Sequence, residues 1–134
     1  SNEINETIIV GEDNGGANGL SPQTAMSIQS AFEHVGDTLW VWGYIVGTSI
    51  STTKFNMTPP FETDAHLALA ESAEASERAE ICPVELSKKA LKDALGLATN
   101  PNNLKKRIIV RGVVVETYFG SKGIKSVSDY QLLE

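Results

Sequence analysis

Two stretches of this chain repeat one short pattern. Val41-Trp42-Gly43-Tyr44-Ile45-Val46 and Val110-Arg111-Gly112-Val113-Val114-Val115 share the spacing Val-x-Gly-x-(Ile/Val)-Val. Both runs are rich in β-branched and aromatic residues, so both read as strands. A glycine inside a strand weakens it unless the sheet coils sharply or another backbone comes close, and small closed barrels need that coiling. Bends are therefore expected at Gly43 and Gly112.

The other elements can be placed around these two. Ser21-Pro22 opens a helix over residues 22–35, with Ala25, Ile28, Ala31, Phe32 and Val35 at helical spacing and Gly36 as its stop. The first strand covers residues 39–46. A polar stretch, 48–65, contains Pro59-Pro60 and cannot be a central strand. Strands follow at 66–71 and 81–86, joined by an Ala/Ser/Glu-rich loop or single turn at 72–80. Ser87 caps a helix over 88–95 that ends at Gly96. Strands at 106–119 and 124–133 flank a turn at Gly120-Ser121-Lys122-Gly123. The order strand, strand, strand, helix, strand, strand implies a mainly β fold: a five-stranded OB-fold-like Greek-key barrel with a helix between strands 3 and 4 and an extra N-terminal helix. Residues 1–20, rich in Gly and Asn, read as a flexible linker and 21–134 as a single domain.

Composition narrows function more by exclusion than by assignment. The one cysteine, Cys82, rules out an internal disulfide framework and a cysteine zinc site; before Pro83 in a strand it reads as a small buried residue. His34 and His66 are the only histidines, and Asp64 with His66 makes two ligands where catalytic zinc needs three. Glu12, Asp13 and Asn14 lack the spacing of a calcium loop. No nucleophile elbow, phosphate loop or zinc-protease motif occurs. The expectation is a protein that is not an enzyme and uses no metal or cofactor. Net charge is −6, divided unevenly: −10 over residues 1–80 and +4 over 81–134. An acidic chain repels phosphate at long range, yet the second part can still present a local basic surface.

Several motifs carry a family likeness. Trp42-Gly43-Tyr44-Ile45-Val46-Gly47, Leu67-Ala68-Leu69-Ala70-Glu71-Ser72, Cys82-Pro83-Val84-Glu85-Leu86, Asn100-Pro101-Asn102-Asn103-Leu104 and Tyr118-Phe119-Gly120-Ser121-Lys122-Gly123-Ile124-Lys125 follow one another in order. Together they resemble an uncharacterised OB-like domain family of Bacteroidetes secreted proteins and lipoproteins, some joined to extracellular endonuclease-type domains. The likeness spans about residues 20–133 and assigns no functional residue. It implies a cell-envelope or extracellular address, with the first residues as a tether and a lipid anchor open in the precursor. Asp37-Thr38-Leu39 resembles the short O-glycosylation signal of such proteins, with Thr38 as acceptor.

Two groups of residues are candidates for ligand contact. Trp40, Trp42 and Tyr44 share one strand face. Exposed, they would stack on bases or sugars; the favoured reading has them packed beneath the N-terminal helix against Ile28 and Phe32. Lys105, Lys106, Arg107, Arg111, Lys122 and Lys125 lie around the last two strands, near Tyr118 and Phe119. Phosphate contact is one reading and a solvated strand edge the other. The expected ligand surface lies between the 48–65 loop and the 120–123 turn, as in OB-folds. Single-stranded nucleic acid is the first candidate ligand and oligosaccharide the second. The alternative is a structural or protein-interaction domain without a nucleic-acid ligand.

Overall fold

The computed structural model describes residues 17–133. Six strands follow in chain order: β1 (Thr38–Ser49), β2 (Phe55–Asn56), β3 (His66–Ala70), β4 (Cys82–Glu85), β5 (Arg107–Tyr118) and β6 (Ser121–Leu132). Two α-helices join them, α1 (Ile28–Ala31) and α2 (Lys89–Leu95). β1 pairs with both β3 and β5, and the order β1-β3-β4-β6-β5 closes on itself. The result is a closed five-stranded barrel with α2 between β4 and β5. Only β4 and β6 run parallel, with Val84 opposite Ile124. The OB-like architecture read from the sequence is the one observed.

Closure follows from the alternation of side chains. Inward residues such as Val41, Ile45, Leu67, Leu69, Val84, Ile108, Val110, Val114 and Ile124 form one core, joined by Ile28 and Ala31 from α1 and Leu91 and Leu95 from α2. The two matching motifs lie side by side on antiparallel neighbours, with Val41 opposite Val110, Gly43 opposite Ile108 and Leu39 opposite Gly112. At Gly112 the β5–β6 register shifts. A Cβ there would stand 2.5 Å from Ile124 Cγ2 and 3.0 Å from the Lys125 carbonyl oxygen. The bend expected at Gly43 falls elsewhere. Gly43 sits in regular ladder with β5, and the bulge of β1 lies between Ile45 and Gly47, beside its pairing with β3. A bulge adds one unpaired residue and increases twist, which lets β1 serve two neighbours.

The N-terminal helix expected over 22–35 is broken. Pro22–Thr24 forms a 3-10 turn, and only Ile28–Ala31 is α-helical. The edge of β1 supplies the reason. Its first half pairs with β5 on one side only, because β3 begins pairing at Tyr44. Trp40 N–H donates to the Gly19 carbonyl (2.8 Å), Met26 N–H to the Trp40 carbonyl (2.9 Å) and Trp42 N–H to the Met26 carbonyl (3.0 Å). Satisfying buried backbone groups outweighs local helix propensity here. Ser27, rather than Ser21, caps α1 by accepting from Ser30 N–H at 3.2 Å.

Smaller corrections have local causes. Lys88 stands at the N-cap of α2 without a side-chain bond, so Ser87 is not the cap. The β5–β6 turn is Phe119-Gly120, not 120–123: both residues have positive φ, 53° and 81°, as a two-residue hairpin turn of this hand requires. Ser121 to Gly123 therefore belong to β6. A two-residue strand, β2, pairs with the end of β1 inside the 48–65 stretch. Residues 1–16, which hold most of the expected linker and the Glu12/Asp13/Asn14 cluster, lie outside the described residues; Gly19 is hydrogen-bonded to β1.

Candidate functional site

The aromatic row of β1 is covered. Trp40 is 8% exposed and Trp42 4%. They pack on the outside of the barrel with Ala25, Ile109 and Leu133, while Tyr44 is half-buried beside them. Ile28 and Phe32, the partners expected for the row, join the barrel core instead. The Arg107 guanidinium lies over two of the rings, 5.1 Å from the Tyr44 centroid and 5.7 Å from that of Trp42. Bases cannot stack on Trp40 or Trp42 while this packing holds.

A second aromatic group lies on the outer face of β3, β4 and β6. His66 begins β3, directly opposite Glu85 of β4. Its ring meets Phe119 edge to face at 4.8 Å, and Phe119 meets Tyr118 in the same manner at 4.8 Å. Lys125 Nζ stands 5.2 Å from the Tyr118 centroid. All four side chains are half-buried. Gly123 makes this convergence possible: a Cβ there would lie 2.7 Å from the Pro83 carbonyl oxygen and 3.1 Å from Tyr118 Cβ. Gly120 abuts Thr52, so the hairpin tip touches the 48–65 loop.

The hairpin tip is anchored as well as positioned. Arg78 Nη2 donates to the Phe119 carbonyl (2.7 Å) and to Ser121 Oγ (3.3 Å), and Nη1 to the Ile81 carbonyl (3.4 Å). Phe119 is thus held at a positive φ that a bulky residue seldom adopts.

Electrostatics favours neutral rings, with Lys125, Arg78 and Glu85 as the charges beside them. Burial lowers the His66 pKa, and its Nδ1 is buried without a hydrogen-bond partner. Burial, and secondarily the Glu85 charge, pushes the Tyr118 hydroxyl up to about 12. For His66 the unfolded chain binds a proton more readily than the folded one, so stability rises with pH between the depressed folded pKa and the ordinary value of 6.5. Acidification below that value is expected to lower the melting temperature. His66→Phe should flatten this dependence, and an unchanged pH profile would contradict it.

The remaining sequence candidates do not assemble here. Lys106 Nζ donates to Asn103 Oδ1 (3.3 Å), Arg111 Nη1 to Ser128 Oγ (2.8 Å) and Lys122 Nζ to the Phe32 carbonyl (3.0 Å). Of the basic residues named from sequence as ligand contacts, Lys125 alone joins Tyr118 and Phe119. Asp64 and His66 separate, because Asp64 accepts from Thr99 N–H (2.9 Å) and from the Thr99 hydroxyl. Glu80 Oε1 accepts from the Ser76 and Glu77 amides, a turn-capping use of the carboxylate. Cys82 is fully buried and its thiol pKa raised by desolvation. Thr38 is exposed at the start of β1. Sequence reasoning missed Arg78 and Glu85 as neighbours of the aromatic group and weighed His66 only as a metal ligand or a surface residue.

Residues 26–133 match the family described as Domain of unknown function (DUF6359). The chain belongs to this family. It is also 34% identical over 113 residues to Endonuclease YhcR of Bacillus subtilis (strain 168), covering 84% of this chain and 9% of that protein. The domain is therefore a small barrel unit that recurs within a much longer protein bearing an endonuclease name, in keeping with the joined architecture that the resemblance implies.

Proposed function

We propose that this domain is a non-catalytic accessory module that holds single-stranded nucleic acid for a nuclease carried elsewhere in its polypeptide. The observation that carries the reading is the half-buried Phe119–Tyr118–His66 group with Lys125 beside it, framed by the hairpin tip and the 48–65 loop. OB-folds bind oligonucleotides on the corresponding strands and loops. Rings give sequence-tolerant stacking, and one ammonium gives a phosphate contact. The endonuclease name of the relative favours nucleic acid over oligosaccharide. The address that accompanies this reading is the cell envelope or the outside of the cell, supported by the motif resemblance; there Thr38 would be a glycan acceptor, and an unmodified intact mass of the secreted protein would remove that part.

Fluorescence anisotropy with a labelled oligo(dT) at low salt tests the main reading. Phe119→Ala should lose about tenfold or more in affinity, given roughly 1–3 kcal/mol per stacked base. Lys125→Ala should reduce the slope of log affinity against log salt by about 0.7, the share of one single-strand phosphate contact. No anisotropy change with any homopolymer would end the proposal.

A further inference from the structure

A cleft of about 320 Å³ lies between α1 and the β3–β4 connection. Its floor is apolar: Ile28 and Ile81 are buried and Phe32 is half-buried. The residues at its mouth are small, Ser72 and Ala79, or acidic, Glu71 and Glu80, and all four are exposed. The walls are fixed. Glu71 Oε2 accepts from Gln29 N–H (2.8 Å), tying α1 to the loop, and Glu80 Oε1 closes the turn through the Ser76 and Glu77 amides (3.0 and 2.9 Å).

Charge decides what this cleft can take. Residues 71–80 hold Glu71, Glu74, Glu77 and Glu80 against one cation, Arg78, whose guanidinium is bound to Phe119, Ser121 and Ile81. The nearby ammonium groups keep their charge but are held outside the lining, Lys122 on the Phe32 carbonyl and Lys105 on the Ala73 carbonyl. The cleft lining itself carries two carboxylates, Glu71 and Glu80, and no cation, which disfavours a phosphate inside it. The volume sits at the low end of the roughly 300–1,000 Å³ of ligand pockets, a fit for one long side chain. Lysine and arginine bury an aliphatic stem while keeping the charge at the surface.

We propose that the cleft is a docking site for a basic segment of a partner protein, which lays the stem of one arginine or lysine on Ile28, Phe32 and Ile81 and sets its charge at the Glu71/Glu80 rim. The docking site does not rest on the nucleic-acid reading, although Arg78 of the same turn holds Phe119. Its test is titration of the domain with fluorescein-labelled Gly-Leu-Arg-Leu-Gly against the same peptide carrying norleucine or glutamate in place of arginine. The arginine peptide is expected to bind at least about tenfold more tightly than either control. Ala79→Trp, at an exposed position, should fill the cleft and remove at least about tenfold in affinity, with oligo(dT) binding and melting temperature unchanged. The double variant Glu71→Gln, Glu80→Gln keeps the amide acceptors and should show the same loss. Absence of arginine-peptide binding up to about 1 mM, equal binding of the norleucine peptide, or an Ala79→Trp variant that binds normally would overturn the proposal.

Discussion

Replacing Trp42 by alanine is expected to lower the unfolding free energy by about 3–5 kcal/mol, the range for deleting a buried large aromatic side chain. That is a large part of the 5–15 kcal/mol or so that a domain of this size possesses. The ring is 4% exposed and packs with Ala25, Trp40, Ile109 and Leu133. It therefore joins three parts of the chain: the segment before α1, the paired strands β1 and β5, and Leu133, which follows β6. Truncation leaves a cavity on the outside of the barrel and loosens the Ala25 and Leu133 segments together. Urea denaturation measures the loss. A cost below about 1 kcal/mol would mean that the row is not packed as described, and its use as a stacking platform would return.

The second large effect is expected at Gly112. In Gly112→Val, the new Cβ would stand 2.5 Å from Ile124 Cγ2 and 3.0 Å from the Lys125 carbonyl oxygen. The Cγ2 methyl sits on the branched Cβ of a fully buried core residue, and the carbonyl belongs to β6 backbone, so neither moves without disturbing the core or the ladder. Overpacking of this kind costs about 1–3 kcal/mol, and more when backbone must shift. Gly47→Ala should be at least as severe, because its Cβ would run into the Asn56 carbonyl. Gly43→Ala is the matched control. Its nearest neighbours would be Leu69 Cβ at 3.2 Å, the Ala70 carbonyl oxygen at 3.3 Å and Ile28 Cδ1 at 3.3 Å, contacts that a shift of a few tenths of an ångström relieves, whereas the 2.5 Å approach at Gly112 demands far more. Thermal melts of the three variants should rank Gly43→Ala as mildest. Equal losses at Gly43 and Gly112 would contradict the assignment of the close approach to the β5–β6 bulge.

These glycines also mark how far the sequence was readable. The repeated Val-x-Gly pattern and the alternation of apolar residues report local requirements, and the order of strands around α2 follows from them. Contacts made across the barrel are less legible. The periodic run from Ala25 to Val35 suits a helix, yet the open edge of β1 takes Met26 into a bridge with Val41. Nothing in the run itself signals that unpaired edge. Phe119 conceals the hairpin turn, since glycine is the residue expected at positive φ. Arg78 reaches Phe119 across 41 residues of sequence, beyond any spacing rule. The basic residues of the last two strands cluster in sequence but point to separate partners, because neighbours on a strand face opposite sides.

In the proposed function, nucleic acid lies on the β3–β4–β6 face and not on the tryptophan row. An NMR titration of the ¹⁵N-labelled domain with oligo(dT) tests this most directly. Amide shifts concentrated at His66, Phe119, Gly120 and Lys125, with Val41 to Gly43 unmoved, are the predicted result. Shifts centred on Trp40 to Tyr44, or a spectrum indifferent to the oligonucleotide, would contradict it.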